Sequence, residues 1–135
     1  TNSGDELRIS ADQIISTDEK DTAFIKSAVL RVFSDSGSSL FLSSDKALLN
    51  KGKKNLIFSK NVILKTDQKI EITAPEIFTA LDETLLKADG PVKGLFGSSN
   101  IEAGHLDIYR EDKSSNLVIS FTKGVKMVYN ESRSF

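Results

Sequence analysis

The residue types that carry out acid–base chemistry are few in this sequence, and their spacing does not suit it. His105 is the single histidine among 135 residues. A general base needs a nucleophile or a carboxylate within hydrogen-bonding reach, and neither recurs beside His105 at a useful spacing. We therefore interpret His105 as a histidine at a bend of the chain, directly after Gly104. We predict that the protein is not an enzyme and has no catalytic residues.

Adjacent acidic residues occur three times and would suit glycoside hydrolysis, which uses two carboxyl groups across one sugar bond. These pairs are Asp18-Glu19, Asp82-Glu83 and Glu111-Asp112. Neighbouring residues in a strand point to opposite faces, however, and all three pairs fall where turns are expected. We interpret them as solvated turn charges. Residues 51–54 (KGKK), which could contact a phosphate or a lipid headgroup, also fall at a turn and are interpreted in the same way.

Composition excludes several other kinds of site. The chain has no cysteine, so disulfides, thiolate metal sites and cysteine nucleophiles are excluded, and one histidine cannot form a multi-histidine metal site. Glycine-rich phosphate loops are absent, and residues 35–38 (DSGS) are too short for a calcium loop. Eighteen basic residues against 19 acidic ones argue against a nucleic-acid partner. We expect no metal and no cofactor.

The sequence repeats four times, and two columns of small or branched residues mark the repeat. The first column is Ala11, Ser44, Ala74 and Ala103, and the second is Val29, Val62, Val92 and Val125. Alternating apolar residues precede both columns. Residues that favour bends stand beside them: Asp12, Asp45, Pro75 and Gly104 after the first, and Ala28, Asn61, Pro91 and Gly124 before the second.

This pattern predicts an all-β protein in which each repeat forms two long strands with a corner near the middle. A strand that leaves one sheet and joins the facing one must bend, and bulges or turn-type residues permit it. The predicted fold is therefore an antiparallel two-sheet β-jellyroll built from about four tandem two-strand repeats of bent strands. Residues 73–85 also resemble an N-capped helix that begins near Pro75. We favour a strand there because the three equivalent segments lack the helical pattern.

Three segments resemble the family of the periplasmic lipopolysaccharide-export protein LptC and the related bridge protein LptA. They are residues 88–97 (ADGPVKGLFG) with 101–108 (IEAGHLDI), residues 117–127 (LVISFTKGVKM), and the opening residues 7–12 (LRISAD). The resemblance extends over about residues 7–130. It implies a β-jellyroll whose hydrophobic groove receives the acyl chains of lipopolysaccharide.

The same resemblance leads us to expect that the inward residues of alternating strands bind lipid. These residues are Ile9, Leu42, Phe58, Val62, Leu64, Ile72, Ile101, Phe121, Val125 and Met127. Family members have one N-terminal membrane helix, so residues 1–6 are expected to be a polar linker after an anchor that precedes Thr1. Residues 7–130 are expected to form the jellyroll and residues 131–135 a tail. The protein would lie in the periplasm, tethered to the inner membrane.

The family also implies a relay between partners. The N-terminal edge of the jellyroll would join the inner-membrane lipopolysaccharide ABC transporter, and the C-terminal edge would join the periplasmic bridge protein LptA. The last strand lacks proline and could pair with a neighbouring chain. It is expected to contain Val125, Lys126, Met127, Val128, Tyr129 and Asn130.

Three alternatives remain open from the sequence. The chain could be the soluble bridge protein of the same family. It could also be a β-sandwich module that binds glycans or proteins, for which Tyr109 and Tyr129 are the available aromatic platforms. The third is a glycosidase or lyase that uses acids such as Glu71, Glu102 and Asp107.

Overall fold

The computed structural model describes residues 6–17, 21–33, 37, 39–67, 69–83, 85–110 and 117–128. Within these ranges the secondary structure is all β. The strands are β1 (Glu6–Ser10), β2 (Gln13–Ser16), β3 (Thr22–Phe33), β4 (Ser39–Asn50), β5 (Asn55–Thr66), β6 (Ile70–Ala80), β7 (Leu85–Phe96), β8 (Ser99–Arg110), β9 (Leu117–Thr122) and β10 (Lys126–Val128).

The strands form one antiparallel sheet that is not closed. Its order is β1-β3-β4-β5-β6-β7-β8-β10, with β2 also on β3 and β9 also on β8. β1 and β2 are the two halves of one bent strand, as are β9 and β10, because each pair borders the same neighbour. The sheet therefore has an N-terminal edge (β1 and β2) and a C-terminal edge (β9 and β10). Among the described strands, the first pairs only with β3 and the second only with β8.

Every strand bends at the predicted corner. The ladders shift register between Ser43 and Lys46, between Ser59 and Val62, and between Asp89 and Val92. Several corner residues have positive φ, namely Ser27, Lys60, Asn61, Lys123 and Gly124. A left-handed backbone at a bulge increases the local bend. The repeat thus works as predicted: eight bent strands run through corners at matching positions.

The corners divide the sheet into two layers that face each other. Sheet A consists of β1, β10 and residues 28–33, 39–44, 62–66, 70–74, 92–96 and 99–103; sheet B consists of β2, β9 and residues 22–26, 46–50, 55–59, 76–80, 85–89 and 105–110. One cluster of buried side chains joins them, with Leu42 and Ile72 from sheet A packed in the same core as Phe58 and Leu106 from sheet B.

The jellyroll prediction is confirmed by this architecture, and so is the choice of a strand over a helix near Pro75. That residue lies inside β6, where the β6–β7 ladder is interrupted between Thr73 and Phe78. Proline removes a ladder hydrogen bond and is tolerated at such an irregularity. The apolar residues at helical spacing belong to two strands and the turn between them: Ile77 lies in β6, Leu81 in the turn and Leu85 at the start of β7.

Candidate functional site

One inward row of side chains crosses sheet A from edge to edge. Its members are successive cross-strand partners, in the order Ile9, Leu30, Leu42, Leu64, Ile72, Gly94, Ile101 and Met127. Directly opposed residues in an antiparallel pair share a face. Six of the ten residues predicted to bind lipid therefore lie on a single line that spans the whole layer.

Burial changes along this row in a regular way. Leu42, Leu64 and Ile72 are at most 1% exposed and are packed in the core. At the two ends, by contrast, Ile9 is 42% exposed and Met127 is 55% exposed. The centre of the layer is thus filled by the protein's own side chains, and the apolar interior reaches solvent at both edges.

A second inward row crosses sheet B and faces the first. It runs through Ile14, Ile25, Ala47, Phe58 and Ile77, and continues beyond the interrupted β6–β7 ladder through Ala88, Leu106 and Phe121. Phe58 is fully buried, Phe121 is half-buried, and Ile14 is 61% exposed at the N-terminal edge. The N-terminal edge therefore carries two exposed inward isoleucines, one from each sheet.

The C-terminal end of the interior is organised around Gly94, the one position of the sheet A row without a side chain. A Cβ placed on Gly94 would lie 2.7 Å from Cγ2 of Ile101 and 3.5 Å from Cζ of Phe121. The rings of Phe96 and Phe121 pack together with their centroids 5.8 Å apart and an interplanar angle of 55°. Phe121 thus reaches from sheet B into the space above Gly94 and covers the end of the core.

Two predicted residues lie at corners. Val62 is 2% exposed and belongs to the core, whereas Val125 is 45% exposed and sits between β9 and β10. Of the predicted partner-binding strand, Lys126, Met127 and Val128 form β10 and pair with residues 100–102 of β8. Tyr129 and Asn130 lie outside the described residues, as do residues 1–5 and 131–135.

His105 has partners that its sequence neighbourhood did not suggest. Its Nδ1 lies 2.9 Å from Oδ1 of Asp89, across the β7–β8 ladder, and its Nε2 lies 3.1 Å from Oδ2 of Asp107. The hydrogen bond to Asp89 is the largest cause of a raised His105 pKa, with Asp107 adding to the effect and partial desolvation opposing it. The expectation that no carboxylate stands beside this histidine is therefore wrong, because the corner brings Asp89 opposite His105.

Both described partners of His105 are carboxylates, and the three side chains lie outside the apolar interior. His105 lines an outer groove of about 1260 Å³ at the β5–β8 corners, together with charged residues such as Lys60, Lys87 and Glu76. The acids Glu71 and Glu102 neighbour inward residues of sheet A and so point outwards, away from Asp107 on sheet B. Among the described residues, no group of three or more His, Asp or Glu could hold a metal ion.

A comparison with protein families decides the assignment. The model of the family "Lipopolysaccharide-assembly, LptC-related" matches residues 2–132. The chain belongs to the LptC-related family. It is therefore a component of lipopolysaccharide transport.

The fold of this LptC-related chain is similar to that of a solved periplasmic protein. That protein is LptH of Pseudomonas aeruginosa, described as the LptA-homologous periplasmic component of the lipopolysaccharide transport device. The TM-score is 0.63 at 10% sequence identity, and the match covers 93% of this chain and 96% of LptH. At this identity the likeness establishes the shared fold. A search of curated proteins finds no match.

Sequence reasoning missed two residues of the LptC-related interior. Ile14 and Phe96 point inwards at the N-terminal and C-terminal ends, but neither was included among the lipid-binding residues. Ile14 stands three positions after Ala11 of the first repeat column, as Ile77 and Leu106 stand three positions after Ala74 and Ala103, so the repeat carried a signal for it. Phe96 has no such signal, because its role depends on the contact with Phe121.

Over the described residues no helix is long and apolar enough to span a bilayer.

Proposed function

We propose that this chain holds the acyl chains of lipid A between its two sheets and passes them from one edge to the other. Lipid A would arrive from the inner-membrane ABC transporter at β1 and β2 and leave to the periplasmic bridge protein at β9 and β10. The observation that most supports this is the inward row of sheet A, which is apolar at every side chain from Ile9 to Met127 and exposed at both ends.

The free energy of such binding comes from removing methylene groups from water. Burial stabilises by about 0.8 kcal/mol per methylene, so one acyl chain contributes on the order of 8–10 kcal/mol before entropic costs. Because Leu64 and Ile72 are fully buried, a chain in the middle of the row requires the two sheets to separate. Entry would begin instead at the N-terminal edge, where the inward residues Ile9 and Ile14 are exposed. Exit would be at the C-terminal edge, where Phe121 is half-buried and Met127 is exposed.

The two edges are suited to head-to-tail assembly. An edge strand presents unpaired backbone N–H and C=O groups and pairs readily with another strand. In this fold the N-terminal and C-terminal edges differ, so joining one to the other is heterologous and extends in one direction. Such a join would place the exposed Met127 of one jellyroll beside the inward residues of the next, which keeps the apolar path continuous.

The proposed transfer is passive and uses no catalytic residue of this chain. Lipid would move because each successive apolar interior offers burial, and the ATP would be hydrolysed by the transporter. The domain would lie in the periplasm, tethered to the inner membrane, as the family resemblance implies. Lipopolysaccharide, the transporter and the bridge protein are then its partners, and no cofactor enters the process.

The second candidate is the soluble bridge protein of the same family, which the fold match to LptH favours. A bridge protein would join other jellyrolls at both edges and would not contact the ABC transporter. Capture of the transporter by a photo-crosslinker in β2 would therefore support the LptC role, whereas crosslinks to soluble jellyrolls at both edges would support the bridge role.

The central test is a photo-crosslinking amino acid placed along the inward rows in cells that export lipopolysaccharide. Positions Ile72, Phe58 and Met127 should capture lipopolysaccharide, because each lies on an inward row. Lys65, which points outwards on sheet A next to Leu64, is the matched control and should capture none. A blank at all inward positions, or equal capture at Lys65, would exclude the proposed path.

A further inference from the structure

A second apolar row lies on the outer face of sheet B. Ile15, Phe24, Leu48, Ile57 and Phe78 are successive cross-strand partners, and each neighbours an inward residue. We call this row the outer stripe. Phe24 is 55% exposed and Ile15 is 41% exposed, while the other three are half-buried. Contiguous exposed apolar side chains of this kind mark interaction surfaces.

Lysines border the outer stripe on the side nearest the corners. Lys26 and Lys46 are cross-strand partners, two residues from Phe24 and Leu48 and therefore roughly 7 Å along the strands on the same face. Lys60 stands at the adjoining corner. The pKa of Lys46 is lowered, first by its contact with the Lys60 ammonium, then by partial desolvation, and last by the charge of Lys26. Three cations thus gather where a negatively charged partner would relieve their repulsion.

Lysines also border the outer stripe on the opposite side. The turn that joins β4 to β5 carries the exposed residues Lys51, Lys53 and Lys54. Acidic side chains also lie near the stripe in the described part of the chain. Asp45 is hydrogen-bonded to Asn61 at 2.7 Å, and the others are Asp12 beside Lys26, Asp21 beside the turn, Glu76 on β6, and Asp82 and Glu83 at the β6–β7 turn. In the row directly beside the stripe, Lys26 and Lys46 stand against one acid, Glu76.

We propose that the outer face of sheet B docks on an anionic phospholipid membrane. The outer stripe would enter the headgroup region, and the two groups of lysines would contact lipid phosphates on either side. An apolar surface bordered by lysines is typical of proteins that lie on membranes. Protein–protein interfaces, by contrast, are depleted in lysine. This docking surface is separate from the interior and does not depend on the proposed handling of lipopolysaccharide.

The test is sedimentation of the chain with vesicles that contain no lipopolysaccharide. Wild-type protein should bind vesicles of phosphatidylcholine with phosphatidylglycerol, and should bind pure phosphatidylcholine vesicles much more weakly. The double variant Lys26→Gln/Lys46→Gln should lose about thirtyfold in affinity for the anionic vesicles. The double variant Ile15→Ser/Phe24→Ser should lose at least about tenfold.

Matched controls come from residues outside this face. Lys65→Gln/Lys69→Gln removes the same charge, and Leu95→Ser removes an exposed apolar residue from the outer face of sheet A. Both should bind like wild type, and thermal unfolding should show that every variant is folded. The proposal is overturned if wild type binds no anionic vesicle, if it binds neutral vesicles equally, or if the stripe variants bind undiminished. It is also overturned if the stripe variants instead dissociate an oligomer present without vesicles, since the stripe would then join copies of the chain.

Discussion

Ile72 of β6 and Gly94 of β7 face each other as cross-strand partners, so the inward row of sheet A has a fully buried isoleucine next to a position with no side chain. Phe121 from sheet B lies over that position. One aromatic ring from the opposite layer therefore covers the buried part of the row at its C-terminal end, and beyond it Met127 is exposed. The proposed path of an acyl chain therefore requires the Phe121 ring to move aside.

Filling this position should close the end of the interior. In Gly94→Val the new Cβ would lie 2.7 Å from Cγ2 of Ile101, so Ile101 and Phe121 must shift, at a cost of about 1–3 kcal/mol in the free energy of unfolding. Urea unfolding measures that cost, and crosslinking from position 121 should capture less lipopolysaccharide than in the parent protein. Adding Ile101→Ala removes the clashing methyl group and should restore both the free energy of unfolding and the capture of lipopolysaccharide. If lipid capture is unaffected by Gly94→Val, the end of the interior is not the route.

Loss of a phenylalanine ring should destabilise the protein in the core but not on the outer face of sheet B. Phe58→Ala should lower the free energy of unfolding by about 3–5 kcal/mol, because the ring is fully buried and its loss leaves a cavity. Phe24→Ala is the matched change on an outward residue of sheet B and should stay within about 0.5 kcal/mol of wild type. Denaturant unfolding of both variants makes the comparison. Equal destabilisation would mean that the inward and outward faces are assigned incorrectly.

The repeat made the fold predictable because each of its columns has one physical role. Small or bend-forming residues such as Asp12 and Asn61 recur where strands must turn, and apolar residues alternate between them. The edges could also be anticipated, since β1 and β10 come first and last in an up-and-down order. The sequence resemblance to the LptC family, which the family comparison confirms, rests on the same regularity.

The site was less predictable because contacts between strands do not repeat. The ion pair of His105 with Asp89 depends on the register of β7 against β8. A slip of one residue in that register would abolish the pair. The degree of burial could not be predicted from the sequence pattern either. Leu42 and Met127 occupy the same inward row, but only Met127 lies at an edge of the sheet. The hydrophobic pattern identifies which residues point inwards. The position of a strand in the sheet order then decides whether its inward residues are buried or exposed.

The His105 cluster predicts how stability depends on pH. Because Asp89 and Asp107 raise the His105 pKa in the folded protein, protonation favours folding. The contribution is fully present below the unfolded histidine pKa of about 6.5 and is lost as pH rises through the higher folded pKa. Stability measured by urea unfolding should therefore fall slightly as pH rises from about 6 to about 8. Asp89→Asn should lower the imidazole pKa seen by NMR and flatten this slope, whereas Asp82→Asn, an exposed acid at the β6–β7 turn, should change neither.

The final prediction concerns capture of the bridge protein at the C-terminal edge. Met127→Pro should abolish capture, because proline removes a backbone donor from β10 and opposes the pairing of an added strand. β10 is a short strand whose three residues are all exposed, so the thermal unfolding midpoint should change little. Met127→Ser is the matched control: it keeps the backbone donor and removes the apolar side chain. If strand pairing provides most of the affinity, the serine variant retains capture but shows reduced passage of lipopolysaccharide to the bridge protein in a purified transfer assay. Undiminished capture by Met127→Pro would mean that the bridge protein joins elsewhere on the jellyroll.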